Sequence, residues 1–394
     1  MNDRSWKSEK ILNPKYSTMA RTSIRGVNNV LESTLKRISF LFDHYDNISL
    51  SFSGGKDSTA LFHLVNEEAK KRNRKFILYF QDQEAEYQGT IDFMEWAMSQ
   101  PNVIPLWYQV PIFMTNAASH QQLFLWAWGE GEKWVREKHP LAIHSIENKY
   151  PKRFHKFNLW VGQNLRKLEG KSISIIGLRA EESPDRRFVM FGEDSELFWL
   201  RRKNEPQRAY PLIDWSYTDV WKYLIEGGFK YNKIYDKMYM LGGNLRYFRV
   251  SNLVHEKAFR CLTDLQELEP ETYNRLEERL QGVHTAALYG KENLIYSIKN
   301  LPDKFKTWKE YKDFLLESIH PDLSKLFKYQ WSRFADTDDV GACKYMVKRI
   351  LLCDWEGNIT WNRDFEFNYS KDQLLHKNVQ KREDAIIKKW MSTL

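Results

Sequence analysis

Between the apolar run Ile48–Leu50 and the apolar positions Ala60, Leu61, Leu64 and Val65, the chain reads Ser53-Gly54-Gly55-Lys56-Asp57-Ser58. Glycines, an ammonium, a carboxylate and hydroxyls packed so closely are suited to holding an anion. Ile48–Ser53 alternates apolar and hydroxyl residues as a strand does, and the apolar positions that follow recur at helical spacing, so the stretch between is a strand-to-helix turn. Glycine permits backbone angles and close approaches that a side chain forbids, and Asp57, Ser58 and Thr59 suit a helix cap or first turn. Free amides at the helix start, the positive end of its dipole and the Lys56 ammonium together favour phosphate. A bare Gly-Gly turn with Lys56 in water is the plainer account, but the coincidence of residue types with strand-helix context favours the anion site. The stretch lacks the glycine spacing that the P-loop of kinases and GTPases requires.

A second stretch has similar chemistry. Ser172–Ile176 reads as a buried strand, and Gly177, Arg179, Glu182, Ser183, Arg186 and Arg187 follow it. Arginines at the end of a core strand suit bidentate contact with phosphate or sulfate, and Glu182 could hold them in place. An acidic cluster, Asp82, Glu84 and Glu86, closes another strand at Phe76–Phe80.

Ser53–Ser58 matches without a gap the Ser-Gly-Gly-x-Asp-Ser signature of the PP-loop ATP pyrophosphatase superfamily. The lysine in the variable place resembles the branch with phosphoadenylylsulfate (PAPS) reductases. Gly177, Arg179, Glu182, Ser183 and Arg186 match that branch's Gly-x-Arg-x-x-Glu-Ser-x-x-Arg pattern. Pro211, Trp215, Asp219, Val220, Trp221 and the run Tyr231–Tyr235 match a third segment, so the resemblance spans about residues 45–240. It implies an α/β fold, a parallel-sheet adenine nucleotide alpha hydrolase-like domain, that binds ATP or PAPS with Mg²⁺. It also implies roles: Ser53, Gly54, Gly55, Lys56, Asp57 and Ser58 around the departing pyrophosphate, and Asp57 or Asp82 at the metal. Gly177, Arg179, Glu182 and Arg186 would bind a second anionic group, with Lys56, Asp57 and Arg179 the expected catalytic residues.

The resemblance breaks at the cysteines. Reductases of this family carry a catalytic cysteine in a C-terminal Glu-Cys-Gly-Leu-His tail, and many bind an iron–sulfur cluster. This chain has Cys261, Cys343 and Cys353, with no CxxC pair, which cannot supply both a thiolate nucleophile and cluster ligands. Conventional PAPS reduction, an iron–sulfur cluster and a structural zinc are therefore not expected. Joined to a mostly helical region at 241–394, the domain resembles reductase-like proteins called immunoglobulin-binding regulator A, often encoded beside a ParB-like partner. Two functions follow. One is an enzyme that cleaves ATP between the α- and β-phosphates to adenylylate a substrate, with nucleic-acid modification or phage defence among its settings. The other is a nucleotide-sensing regulator that acts with a ParB-like protein or DNA.

The elements that must position these residues read as follows. The 394 residues, 42% hydrophobic and 28% charged, describe a globular chain. It is expected to be cytoplasmic, since no apolar run approaches a membrane span and the N-terminus lacks a signal-peptide core. Its net charge of +8 suits nucleotides and nucleic acid alike, although the basic residues are scattered. A helix over 28–43, the phosphate-loop strand and helix, the strand Phe76–Phe80 and a third strand within 102–111 give the βαβ rhythm of a parallel sheet. Ligands gather beyond the carboxyl ends of such strands. Residues 115–170 read as a mostly helical insertion over that face, with His120, His139, His144 and His155 as surface or packing residues. Ser216 or Thr218 caps a helix whose apolar face is Val220, Trp221, Leu224 and Ile225, and the segment 211–235 reads as structural. Arg246, Arg249 and His255 are further candidates to reach a substrate phosphate. The expected domains are 1–44, 45–240 and 241–394.

Overall fold

The computed structural model describes residues 29–119, 122, 124–182, 195–196, 199–200, 206–245, 248–250, 252–255, 261–289, 300–332, 335–352, 354 and 357. His120, Ser183, Arg186, Arg187, Arg246 and Cys353 lie outside the described residues. The chain divides into one unit of Met1–Met114 with Trp126–Asn252 and another of Thr115–Leu125 with Leu253–Leu394.

In the first unit, helix α1 (Val30–His44) leads into strand β1 (Asn47–Ser51), and then come α2 (Lys56–Lys71), β2 (Phe76–Gln81), α3 (Gln88–Met98) and β3 (Val103–Tyr108). The side chain of Asn29 caps α1 by accepting the Glu32 N–H. Strands β1, β2 and β3 pair in parallel, and β1 also pairs in parallel with Ser172–Ile176. The whole is a seven-stranded sheet, completed by Arg208–Ala209, Trp199–Leu200 and Ser195–Glu196, with the last two antiparallel. Its buried strands run apolar on both faces, as β2 shows with Phe76, Leu78 and Phe80 on one face and Ile77 and Tyr79 on the other, because helices cover the sheet.

The chain runs from β1 outward to β3 and then returns to the other side of β1 for Ser172–Ile176. Connections leaving the carboxyl ends of these two neighbouring strands diverge there, and a crevice opens between them. Helix α1 is tied to the segment after the sheet by a buried polar network. Arg37 donates to both carboxylate oxygens of Asp214 at 2.8 Å, and the Trp215 indole donates to Thr34 Oγ1 at 2.8 Å. The helix Tyr217–Glu226 begins in a capping box formed by Ser216 and Asp219, and buries Val220, Trp221 and Leu224. Ile225, expected on that face, is 61% exposed instead.

The expectation of a mostly helical segment over 115–170 is corrected. Helix α4 (Phe154–Leu165) occupies only its end, and the described residues before it are the strand Phe124–Ala127, turns and loop. Within the first unit this loop is organised by buried carboxylates. The Glu84 carboxylate accepts the N–H groups of Trp128 at 2.8 Å and Val135 at 3.2 Å, while the Trp128 indole donates to the Asp82 carbonyl at 2.9 Å. Trp128, whose spacing imitates that of a helix, is thus anchored to the end of β2. His139 stacks on Trp107 with ring centroids 4.4 Å apart, a packing role.

The second unit is helical, as expected: Leu262–Leu268, Pro270–Arg279, Val283–Tyr289, Trp308–Ser318, Pro321–Gln330 and Val340–Leu351. Among the described residues no helix is long and apolar enough to cross a membrane.

Candidate functional site

The turn after β1 folds tightly for reasons the residues supply. Gly54 sits at φ +66°, where a side chain is strained, and a Cβ on it would lie 3.0 Å from Thr90 Cγ2. Ser58 Oγ donates to the Gly55 carbonyl at 2.9 Å and lies 3.2 Å from Ser53 Oγ, closing the loop on itself. Gly55 is the N-cap of α2, and the first intrahelical bond runs from Thr59 N–H to the Gly55 carbonyl. The amides of Lys56, Asp57 and Ser58 therefore precede the hydrogen-bond ladder, at the positive end of the helix dipole. The Lys56 amide donates to the Tyr235 hydroxyl at 3.0 Å. Lys56 Nζ donates to the Phe248 carbonyl at 3.3 Å and lies 3.2 Å from Asp57 Oδ2. Burial lowers the Lys56 pKa, an effect that the Asp57 carboxylate partly offsets.

The end of Ser172–Ile176 meets this loop directly. A Cβ on Gly177 would lie 3.1 Å from the Asp57 carbonyl carbon and from Ser58 Cα and N, so only glycine lets the two backbones approach this closely. Arg179, buried, places Nε 2.5 Å from Asp57 Oδ1 and Nη1 2.8 Å from Glu181 Oε2. Glu182, expected to hold the arginine, is 4.0 Å from it, so Glu181 is the closer partner. The same Glu181 oxygen accepts the Tyr217 N–H at 2.8 Å, which ties the arginine to the following helix.

Ser53, Gly55, Lys56, Asp57, Ser58, Gly177, Arg179 and Glu182 all line one cleft of about 530 Å³ at the switch point of the sheet. Arg249 also lines it, exposed. Arg186 lies outside the described residues. Asp82, expected at a metal, does not line the cleft: it is fully buried and committed elsewhere. Its carboxylate accepts the Glu84 amide at 2.9 Å, the Trp107 indole at 3.1 Å and Gln109 at 2.8 Å, and pairs with Arg136. A carboxylate satisfied so fully by fixed donors is a structural anchor. Among the described residues no group of three or more His, Cys, Asp or Glu side chains is arranged to hold a metal.

The wall facing the loop holds groups that sequence reasoning missed. Gln81 is buried, its Nε2 has no hydrogen-bond partner among the described residues, and it lines the cleft beside Tyr79, whose hydroxyl donates to Asn158 at 2.7 Å. Glu86 lines the cleft at 4% exposure. Burial, reinforced by the Asp82 charge and opposed by Arg136, pushes its carboxyl up to about 8. The signal was present in the acidic cluster, but spacing alone does not tell which carboxylate faces the cleft. Cys343 is fully buried, donates to the Thr337 carbonyl, and burial pushes its thiol up, the opposite of a reactive thiolate.

Fold and cleft together define an α/β protein with a cleft at the switch point of its parallel sheet. The phosphoadenosine phosphosulfate reductase domain matches residues 47–245, half of the chain, and the chain belongs to that family. Residues 242–351 match a domain of unknown function, DUF3440. Protein YbdN of Escherichia coli (strain K12) is 26% identical over 391 residues, covering 91% of this chain and 94% of that protein. A probable FAD synthase of Schizosaccharomyces pombe is 26% identical, covering 55% of this chain and 68% of that protein. An adenosine 5'-phosphosulfate reductase of Anoxybacillus flavithermus is 23% identical, covering 54% of this chain and 78% of that protein. The domain is a PAPS reductase-like, nucleotide-binding one.

Proposed function

We propose that this chain binds ATP at the β1–α2 loop and cleaves it between the α- and β-phosphates, transferring the adenylyl group to an acceptor. The observation that carries this reading is the convergence, in one cleft, of the α2 amides with Lys56 and Arg179. An acceptor oxygen or nitrogen attacks the α-phosphorus and loses its proton to solvent. The α–β bridging P–O bond breaks, and pyrophosphate departs with its electron pair into the cradle of amides and cations. Asp57 bridges Lys56 and Arg179, so a bound polyanion competes with a carboxylate for both cations. Magnesium carried in on the phosphates would neutralise part of their charge, and of the two carboxylates expected to hold it only Asp57 lines the cleft. Relatives named for FAD synthesis and for reduction of adenosine 5'-phosphosulfate support an adenine nucleotide as the ligand.

The test is product analysis after incubation with Mg-ATP, separating AMP and pyrophosphate from ADP and phosphate. With water taking the place of the acceptor, AMP and pyrophosphate, lost in Lys56→Ala, are the expected result. ADP and phosphate would refute α-phosphate chemistry. Tight binding without cleavage would leave two readings, a transfer that needs its missing acceptor or partner and a nucleotide-sensing regulator that acts with a ParB-like or DNA partner.

A further inference from the structure

Tyr235 lies in a segment that the sequence presents as structural, yet its hydroxyl abuts the phosphate loop. It accepts the Lys56 N–H at 3.0 Å, and a Cβ placed on Gly55 would come within 3.5 Å of it. The residue is 2% exposed and lines the cleft. Its ring is held by an edge-on contact with Trp221 at 5.2 Å and by stacking against Phe248 at 6.3 Å, so the hydroxyl position is fixed by packing.

A phenol has one proton to give and lone pairs to receive. Here a lone pair is taken by the first amide of α2, and among the described residues nothing accepts the O–H, which can turn toward the cleft. Burial pushes the Tyr235 pKa up, so the proton stays on the oxygen at any physiological pH. Resting on the nucleotide reading above, we infer that Tyr235 is an anion-binding residue, its hydroxyl donating to an unprotonated phosphate oxygen held in the loop. The Lys56 amide polarises that hydroxyl, and the chain N–H to O–H to phosphate oxygen carries the helix dipole one bond further into the cleft. The ligand class is a phosphoryl or pyrophosphoryl group that offers a lone pair at this point. A neutral group lacking such an oxygen gains nothing from Tyr235.

Tyr235→Phe keeps the ring and removes only the hydroxyl. Titration calorimetry with inorganic pyrophosphate and with adenosine, alongside thermal melting, reads the effect. The expected result is pyrophosphate affinity weakened about tenfold or more, as for a hydrogen bond to a charged group, with adenosine affinity unchanged. Unchanged pyrophosphate binding in Tyr235→Phe overturns the assignment. So does tighter binding, which would mean that the hydroxyl occupies an amide the anion needs, and so does an equal loss for both ligands. 3-Fluorotyrosine at position 235 serves if the Phe variant does not fold: its fluorine resonance is expected to move with pyrophosphate and not with adenosine, and no response to pyrophosphate overturns the inference. Wild-type protein that binds neither pyrophosphate nor ATP would instead overturn the nucleotide reading itself, and this inference with it.

Discussion

Replacing Glu86 by glutamine tests the electrostatics of the cleft wall. The carboxyl is 4% exposed, and its pKa is pushed up to about 8 from an ordinary 4.5. The folded state therefore keeps a proton that the unfolded chain releases. Stability from this group is complete below pH 4.5, falls by about 1.4 kcal/mol per pH unit above that, and levels off beyond about pH 8. Over that interval of about 3.5 pH units the loss comes to about 5 kcal/mol, an upper bound because water entering the cleft weakens the desolvation. The amide of Glu86→Gln has nothing to ionise, so the variant should differ little from wild type at pH 5 and be increasingly the more stable of the two toward pH 9. Urea unfolding followed by tryptophan fluorescence at pH 5, 7 and 9 measures this difference. A wild-type-to-variant gap that is the same at pH 5 and pH 9 would refute the reasoning, because it would mean that Glu86 is already ionised in the folded protein. The Asp82 and Arg136 charges act with opposite sign on the ionised carboxylate, which only the wild type can form, so their net effect is part of the difference that the comparison reads.

Two other substitutions separate anchoring from ligand binding. Asp82→Asn leaves Arg136 buried without its counter-charge, and about 3–5 kcal/mol of stability should be lost with magnesium and pyrophosphate affinities retained. Weaker magnesium binding at unchanged stability would reverse the assignment of Asp82 as an anchor. Gly177→Ala places a methyl group 3.1 Å from the backbone of Asp57 and Ser58, so ATP affinity should fall about tenfold for a stability loss of about 1–2 kcal/mol. Calorimetric titration and melting check both numbers, and full affinity in the alanine variant would show that the loop has room to shift.

The phosphate loop was legible because its chemistry is local. Gly54 at positive φ, Gly55 as N-cap and Lys56 at the helix start follow from residue types next to one another in the chain, and strand periods of alternating or continuous apolar residues located β1, β2 and Ser172–Ile176. Gly177 and Arg179 were legible for the same reason, as a glycine and a cation closing a core strand. The loop over 116–153 was misread because aromatic spacing reports burial without saying against what. Trp128 is held at the end of β2 by the Glu84 carboxylate and the Asp82 backbone carbonyl, while Trp126 stacks on Phe113 and Trp134 donates to the Gly129 carbonyl, none of them along a helix face.

The sequence by itself thus determined that a glycine-rich turn with a lysine at the helix start joins a buried strand to a helix, and that a second strand ends in glycine and arginine. Tertiary structure alone decided which side chains share the cleft. Of the acidic residues after β2, Asp82 and Glu84 turn into the protein and Glu86 faces the cleft, and only packing distinguishes them. Tyr235 reaches the Lys56 amide across 179 residues of chain, a contact that no local pattern encodes. The reason is physical: backbone conformation and helix dipoles are set by neighbours in sequence, whereas desolvation and hydrogen-bond partnership depend on whatever the fold brings within a few ångströms.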